Sequence, residues 1–180
     1  MLNGIKMTNS VLKRLKFKLL GQREYLNYLR KQGIVIGNDC EIYNDVSFGS
    51  EPYLIEIGNH VRITQGCKFI THDGGVWVLR YKYNINDIDL VNKIKVGNNV
   101  HIGMNSIIMP GVKIGNDVII GCGAVVTKDI PDGEIWGGVP AKKIKTIKEY
   151  YDNHKDEFDY TKNMSMKEKK EYLNEKYMKE

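Results

Sequence analysis

No Cys-X-X-Cys pair, no Cys/His cluster and no apolar run of membrane-spanning length occurs in these 180 residues. The first two absences leave no zinc signature, and no metal is expected. Three cysteines are too scattered for a disulfide framework, so reduced thiols in a cytoplasmic protein are the plain expectation. Lack of a long apolar run predicts a soluble chain. Residues 1–21 are basic but carry no uninterrupted apolar stretch, so no secretory leader is expected either. Histidine is scarce as well: only His60, His72, His101 and His154 are present, which makes the choice of a general base short.

What the chain does have is a period of six. Ile36, Ile42 and Phe48, then Ile57, Ile63 and Phe69, then Val96, Ile102, Ile108, Ile114, Ile120 and Val126 fall at steps of six. One residue later come Gly37, Gly58, Gly97, Gly103, Gly115 and Gly121, and four later small or branched side chains such as Cys40, Val61, Cys67, Ser106, Val118 and Ala124. Three later stand Asp39, Asp45, His60, Gly66, Asn99, Asn105, Gly111, Asp117, Gly123 and Asp129. Nearly all are residue types that tolerate a left-handed backbone and so mark corners. A six-residue unit cannot bury its apolar side chain alone and must stack on its neighbours. The period therefore predicts an all-β solenoid, a parallel β-helix with three hexads per triangular coil. About four coils are expected, over residues 36–53, 57–72, 96–113 and 114–131.

Two interruptions break the period. A three-residue insertion falls near residues 54–56, and a much longer one separates Phe69 from Val96. Loops of that length inside a repeat are functional or disordered. Residues 73–93 hold Trp77, Arg80, Tyr81 and Tyr83, too aromatic a content for a plain linker.

The ends have a different character. Residues 1–32 carry eight Lys or Arg against Glu24, a net +7 in a chain of net +5, which leaves the remainder at −2. Val11, Leu12, Leu15 and Leu19 form a stripe at helical spacing, and a second short helix around Tyr25, Leu26 and Leu29 should end at Gly33. These helices are expected to cover the first coil, since an uncapped β-helix end is an open sheet edge. A weak peripheral contact with anionic lipid at the inner face of the membrane is the sharper alternative. The tail after Ile147 is rich in Lys and Glu, and Ser165 and Glu168 are spaced as a capping box before a last helix. The expected organisation is an N-terminal helical cap (1–33), a β-helix (34–136) carrying the loop 73–93, and a C-terminal segment with a helical tail (137–180). No nucleic-acid partner is expected.

Among the histidines, His60 fills a corner slot and His154 lies in the charged tail. His72 ends the second coil in Thr71-His72-Asp73-Gly74-Gly75, where the chain leaves the solenoid for the long loop. A rigid scaffold beside a cleft is how a general base should be mounted. Glu51 lies three past Phe48 as His72 lies three past Phe69, so the two share a face on successive coils, about 5 Å apart in backbone. A carboxylate there can hold the imidazole's orientation and tautomer.

The run from Ile94 to Lys145, IKVGNNVHIGMNSIIMPGVKIGNDVIIGCGAVVTKDIPDGEIWGGVPAKKIK, closely resembles the hexapeptide-repeat acyltransferases. The THDGG hinge and the loop before IKVGNNV resemble the galactoside and xenobiotic acetyltransferase branch, in particular bacterial surface-polysaccharide O-acetyltransferases. The resemblance covers residues 33–147. It implies a left-handed β-helix, a homotrimer, and acetyl-CoA held in clefts between subunits, with a sugar or polysaccharide precursor as acceptor. By position, it makes His72 the base and puts Asn44 and Glu51 in the acceptor site, while Trp77, Arg80 and Tyr81 of the loop are expected to face the acceptor. It sets Met104 and Cys122 along the pantetheine arm, Thr127 and Lys128 toward the nucleotide, and Lys142 and Lys145 near the 3′-phosphate. His101 stands where some relatives carry a tryptophan beside the pantetheine.

The chemistry then follows from the problem. A sugar hydroxyl is a weak nucleophile and acetyl-CoA an activated thioester, so alignment and removal of one proton suffice. Direct transfer with His72 as base needs no acyl-enzyme, since no cysteine has an evident base partner. Three other readings compete: a streptogramin-type antibiotic acceptor, a non-catalytic scaffold within a polysaccharide-assembly complex, and a zinc enzyme of the carbonic anhydrase type, which would need three histidines around a metal.

Overall fold

The computed structural model describes residues 21–178, so the stripe of Val11, Leu12, Leu15 and Leu19 and most of the basic N-terminal segment lie outside the described residues. The chain divides into two compact units, Met1–Ile147 and Lys148–Glu180.

Three parallel sheets build the first unit. The first holds β1 (Val35–Ile36), β3 (Ile55–Ile57), β6 (Ile94–Val96) and β9 (Lys113–Ile114). The second holds β2 (Glu41–Ile42), β4 (Val61–Ile63), β7 (Val100–Ile102), β10 (Val118–Ile120) and β12 (Glu134–Gly137), and the third holds β5 (Lys68–Phe69), β8 (Ile107–Ile108) and β11 (Val125–Val126). The chain visits the three in fixed order. Register follows the hexads: Ile36 pairs Ile57, Ile57 pairs Val96 and Val96 pairs Ile114 on the first sheet. On the second sheet Ile42, Ile63, Ile102 and Ile120 stack in the same way, and on the third Phe69, Ile108 and Val126.

Packing explains why each hexad position has its residue type. All twelve periodic Ile, Val and Phe side chains are buried, as are Cys40, Val61, Cys67, Ser106, Val118 and Ala124 beside them. Each large side chain removed from water contributes on the order of 1.5–3 kcal/mol, which no single hexad can realise without the coils above and below it. The glycines after Ile36, Ile57, Val96, Ile102 and Ile114 answer to close approach. A Cβ at Gly58 would lie 2.5 Å from the Gly97 carbonyl oxygen, and one at Gly97 would lie 2.6 Å from that of Gly115. Left-handed corners occur at Asp39, His60, Asn99, Asn105 and Asp117 and at Gly66, Gly111 and Gly123. Asp45 and Asp129, expected with them, are not left-handed; Asp129 instead accepts the Lys113 N–H at 2.8 Å.

A ladder of side-chain amides ties the coils at one corner. Asn59 Oδ1 accepts the Asn38 N–H, Asn98 Oδ1 the Asn59 N–H, Asn116 Oδ1 the Asn98 N–H, and Asp132 Oδ1 the Asn116 N–H, each at 2.8 Å. Next to it, His60 Nδ1 meets Asn99 Oδ1 at 2.8 Å and Asn99 Nδ2 donates to Asp117 Oδ1 at 2.6 Å. His60 is thus a corner residue with a ladder partner.

The solenoid's first edge is covered. α1 (Gln22–Lys31) buries Tyr25, Leu26 and Leu29, and Gly33 follows it with φ +96°. Arg30 donates to the carbonyls of Ile36 and Gly37, and Gln22 to that of Ile42, so the free acceptors of β1 and β2 have partners. At the other end, β13 (Lys142–Thr146) pairs antiparallel with β12. The segment from 137 to 147 therefore belongs with the solenoid, and the boundary expected at 136/137 moves to Ile147, because β13 is bonded into the second sheet. The three-residue insertion is absorbed by a 3₁₀ turn at Pro52–Leu54, while Ile55–Ile57 is already strand.

The long interruption is not plain loop. It contains α2 (Val76–Tyr83), ended by Asn84 in the left-handed region. The returning strand closes on the departing one, with Asp73 N–H donating to Leu90 O and Asn92 N–H to Thr71 O, both at 2.8 Å. Helical period is hidden here because α2 has one buried residue, Val76, and so shows no apolar stripe. In the second unit, α3 (Ile147–His154) begins at the boundary, and α4 (Met166–Tyr177) opens with the Ser165–Glu168 capping box. Asp159 Oδ1 accepts from Tyr172 and Lys176 at 2.7 and 2.6 Å. No described helix is long and apolar enough to cross a membrane.

Candidate active site

The hinge where the chain leaves the third sheet gathers Ser50, Glu51, Thr71 and His72. Successive coils bring them together: Glu51 follows Phe48, His72 follows Phe69, and the two phenylalanine rings stack at 5.2 Å. Glu51 Oε2 accepts from His72 Nδ1 at 3.0 Å and from the Thr71 hydroxyl at 2.6 Å, and Ser50 Oγ lies 3.4 Å from Nδ1. His72 is half exposed (46%) and Glu51 less so (23%). The Thr71 hydroxyl first, then the hydrogen bonds from His72 and Ser50, pull the Glu51 carboxyl down to about 2. Glu51 is thus a carboxylate throughout the neutral range. With Nδ1–H donated to it, Nε2 is the nitrogen left for a proton from outside.

The arm beyond the hinge presents aromatic surface. Trp77 is 73% and Tyr81 92% exposed, one helical turn apart, and with Val78, Arg80 and Asn86 they line an open hollow. Arg80, expected to face the acceptor, lines this hollow and is also a clasp. Its Nε and Nη2 donate to Ile88 O at 2.9 and 2.8 Å, and Nη2 meets Asp89 Oδ1 at 2.5 Å, which fixes the loop that follows α2.

The remaining candidates lie elsewhere. Asn44, Met104 and Cys122 each follow a strand of the second sheet by two residues and so share the corner between the second and third sheets. Cys122 and Met104 are exposed there, and Gly123 N–H donates to Met104 O at 2.7 Å. Thr127 and Lys128 follow β11 at the His72 corner, beyond the intervening residues after β8. Within one chain the third sheet separates the Asn44 corner from the His72 corner. Lys142 is exposed and Lys145 half-buried on β13, and neither forms an ion pair with a described residue, whereas Lys143 between them is bonded to Glu134. His101 pairs in register with Arg62, which is bridged to Glu41 at 3.0 Å; burial first, then Arg62, lowers the His101 pKa. Among the described residues no cluster of three or more His, Cys, Asp or Glu side chains could hold a metal ion.

Sequence reasoning missed Thr71 and Ser50. Both flank residues that were singled out, but a hydroxyl beside a carboxylate carries no period and shows itself only when the coils stack.

The chain is a hexad-built β-helix with a histidine–carboxylate pair at the root of an extruded arm. The profile "Bacterial transferase hexapeptide (six repeats)" matches residues 93–128. Protein CapG of Staphylococcus aureus is 55% identical over 168 residues, covering 92% of this chain and 96% of that protein. The chain belongs to the hexapeptide-repeat acyltransferase family. Among solved structures, a maltose O-acetyltransferase from Clostridium difficile is 35% identical with a TM-score of 0.55, over 63% of this chain and 59% of that one. The polySia-specific acetyltransferase NeuO is 27% identical with a TM-score of 0.52, over 63% of this chain and 51% of that one. These neighbours imply the left hand of the β-helix.

Proposed function

We propose that this protein is an acetyl-CoA-dependent O-acetyltransferase acting on a sugar hydroxyl in surface-polysaccharide synthesis, in the cytoplasm. The observation that carries the reading is the Glu51–His72 pair at 3.0 Å on a half-exposed hinge. Similarity to acetyltransferases of maltose and of polySia supports a carbohydrate acceptor.

His72 Nε2 takes the proton of the acceptor hydroxyl as its oxygen attacks the thioester carbonyl, and Glu51 stabilises the imidazolium that forms. The proton then passes to the departing thiolate. The residues present fit such a donor: Met104 and Cys122 lie exposed along one corner, and Lys142 and Lys145 are cations without described carboxylate partners, suited to phosphates. Trp77 and Tyr81 offer faces on which a sugar ring can stack.

Assembly as a trimer accounts for the separation of the two corners, since a neighbouring subunit can bring its Asn44–Met104–Cys122 corner to this chain's His72. It would also cover the exposed rings of the arm. Incubation with acetyl-CoA and a panel of free, nucleotide-linked and polymeric sugars should release thiol and yield an acetyl ester. Transfer to a streptogramin and to no sugar would replace this reading. Sedimentation equilibrium should give three subunits, and a fully active monomer would defeat the shared site.

A further inference from the structure

The residue before the hinge histidine is wholly buried, yet it carries a hydroxyl. Thr71 Oγ1–H donates at 2.6 Å to Glu51 Oε2, the same oxygen that accepts His72 Nδ1–H at 3.0 Å. Thr71 itself cannot drift, since its carbonyl accepts the Asn92 N–H at 2.8 Å from the strand returning out of the arm. The Glu51 backbone is held as well, its carbonyl accepting the Leu54 N–H at 3.1 Å, but its carboxylate lies at the end of a long side chain. That side chain has three rotatable bonds and is partly exposed, so only its hydrogen bonds define where Oε2 sits. The Ser50 hydroxyl, which also hydrogen-bonds the Glu51 carboxyl, lies 3.4 Å from Nδ1 and becomes a competitor for it once Glu51 moves off. If Glu51 withdraws, Ser50 O–H can donate to Nδ1, which drives the ring proton to Nε2 and leaves no lone pair toward the acceptor.

We propose that Thr71 is a positioning residue: by pinning Glu51 Oε2 on Nδ1, it locks His72 in the tautomer whose bare Nε2 faces outward. This rests on the reading of His72 as the base. The charged groups facing the imidazole are Glu51 from the preceding coil and Asp73, next in the chain, whose Oδ1 is turned to the Gly75 N–H at 2.8 Å. The returning strand contributes Val91, which is uncharged.

The test is ¹⁵N imidazole NMR on the full chain at a pH where His72 is neutral, with acetyl transfer measured in parallel. Wild type and Thr71→Ser should show Nδ1 protonated and Nε2 bare. Thr71→Val, which keeps the shape and removes the donor, should show a tautomer mixture and lose about tenfold in kcat with the KM for acetyl-CoA unchanged, because the loss falls on the proton-accepting step. Adding Ser50→Ala to Thr71→Val should recover part of both. A Thr71→Val chain with the wild-type tautomer overturns the proposal, whatever its activity. If that chain does not fold, Thr71→Ala is read in the same way. Full activity of His72→Ala would instead remove the base reading and leave the tautomer result standing on its own.

Discussion

Truncation of His72 to alanine separates its chemical role from its structural one. The side chain is half exposed, so its removal opens no core cavity, and the strand pairing at the hinge runs through the backbone of His72 with Val91 and of Asp73 with Leu90. The melting midpoint should therefore barely move. A general base contributes roughly 10²–10⁴ in rate, and a loss of 10² corresponds to about 2.7 kcal/mol in the barrier. The proposed donor contacts lie on other residues, so KM for acetyl-CoA should hold while kcat falls at least a hundredfold. Glu51→Gln preserves an oxygen for both Nδ1–H and the Thr71 hydroxyl and loses only the charge; in this partly exposed setting the expected loss is smaller, about tenfold. The assay is thiol release from acetyl-CoA, with the ester product identified by mass spectrometry. A His72→Ala protein that keeps more than about a tenth of wild-type kcat would refute the general-base argument.

Replacing Lys142 and Lys145 together with alanine should raise KM for acetyl-CoA much more than for a dephospho-CoA thioester, and equal effects on the two donors would place these lysines elsewhere. Gly97→Ala should cost about 1–3 kcal/mol in denaturant unfolding, because its new Cβ would meet the Gly115 carbonyl at 2.6 Å and backbone on both sides is held in the ladder; an unchanged midpoint would mean that the coils can slide apart. Since the Glu51 carboxyl is lowered from 4.5 to about 2, its contribution to stability is fully present above pH 4.5 and is lost as pH falls from there toward 2. Glu51→Gln should flatten the pH dependence of the melting temperature in that window, and an unaltered slope would show that the carboxylate's partners do not bind it in solution.

Much of this protein is legible in its residue order because the repeat is local. A six-residue unit states its apolar position, its close-approach glycine and its corner in one short stretch, and the stacking of such units leaves no other register that buries all twelve Ile, Val and Phe side chains. That is also why Glu51 and His72 could be set side by side from counting alone, each three residues past a stacked phenylalanine. Where the period stops, the counting stops. The helix Val76–Tyr83 has its aromatic rings outward and no stripe to betray it, and the clasp of Arg80 on Ile88 and Asp89 needs the chain to double back. The affiliation of the segment after Gly137 was decided by an antiparallel pairing with β12 that no hexad encodes. The Thr71 hydroxyl meets Glu51 across 20 residues of chain. Local spacing determines which residues stack; only the closed fold determines which polar atoms then face one another, because hydrogen bonds depend on directions and distances that a one-dimensional pattern does not carry.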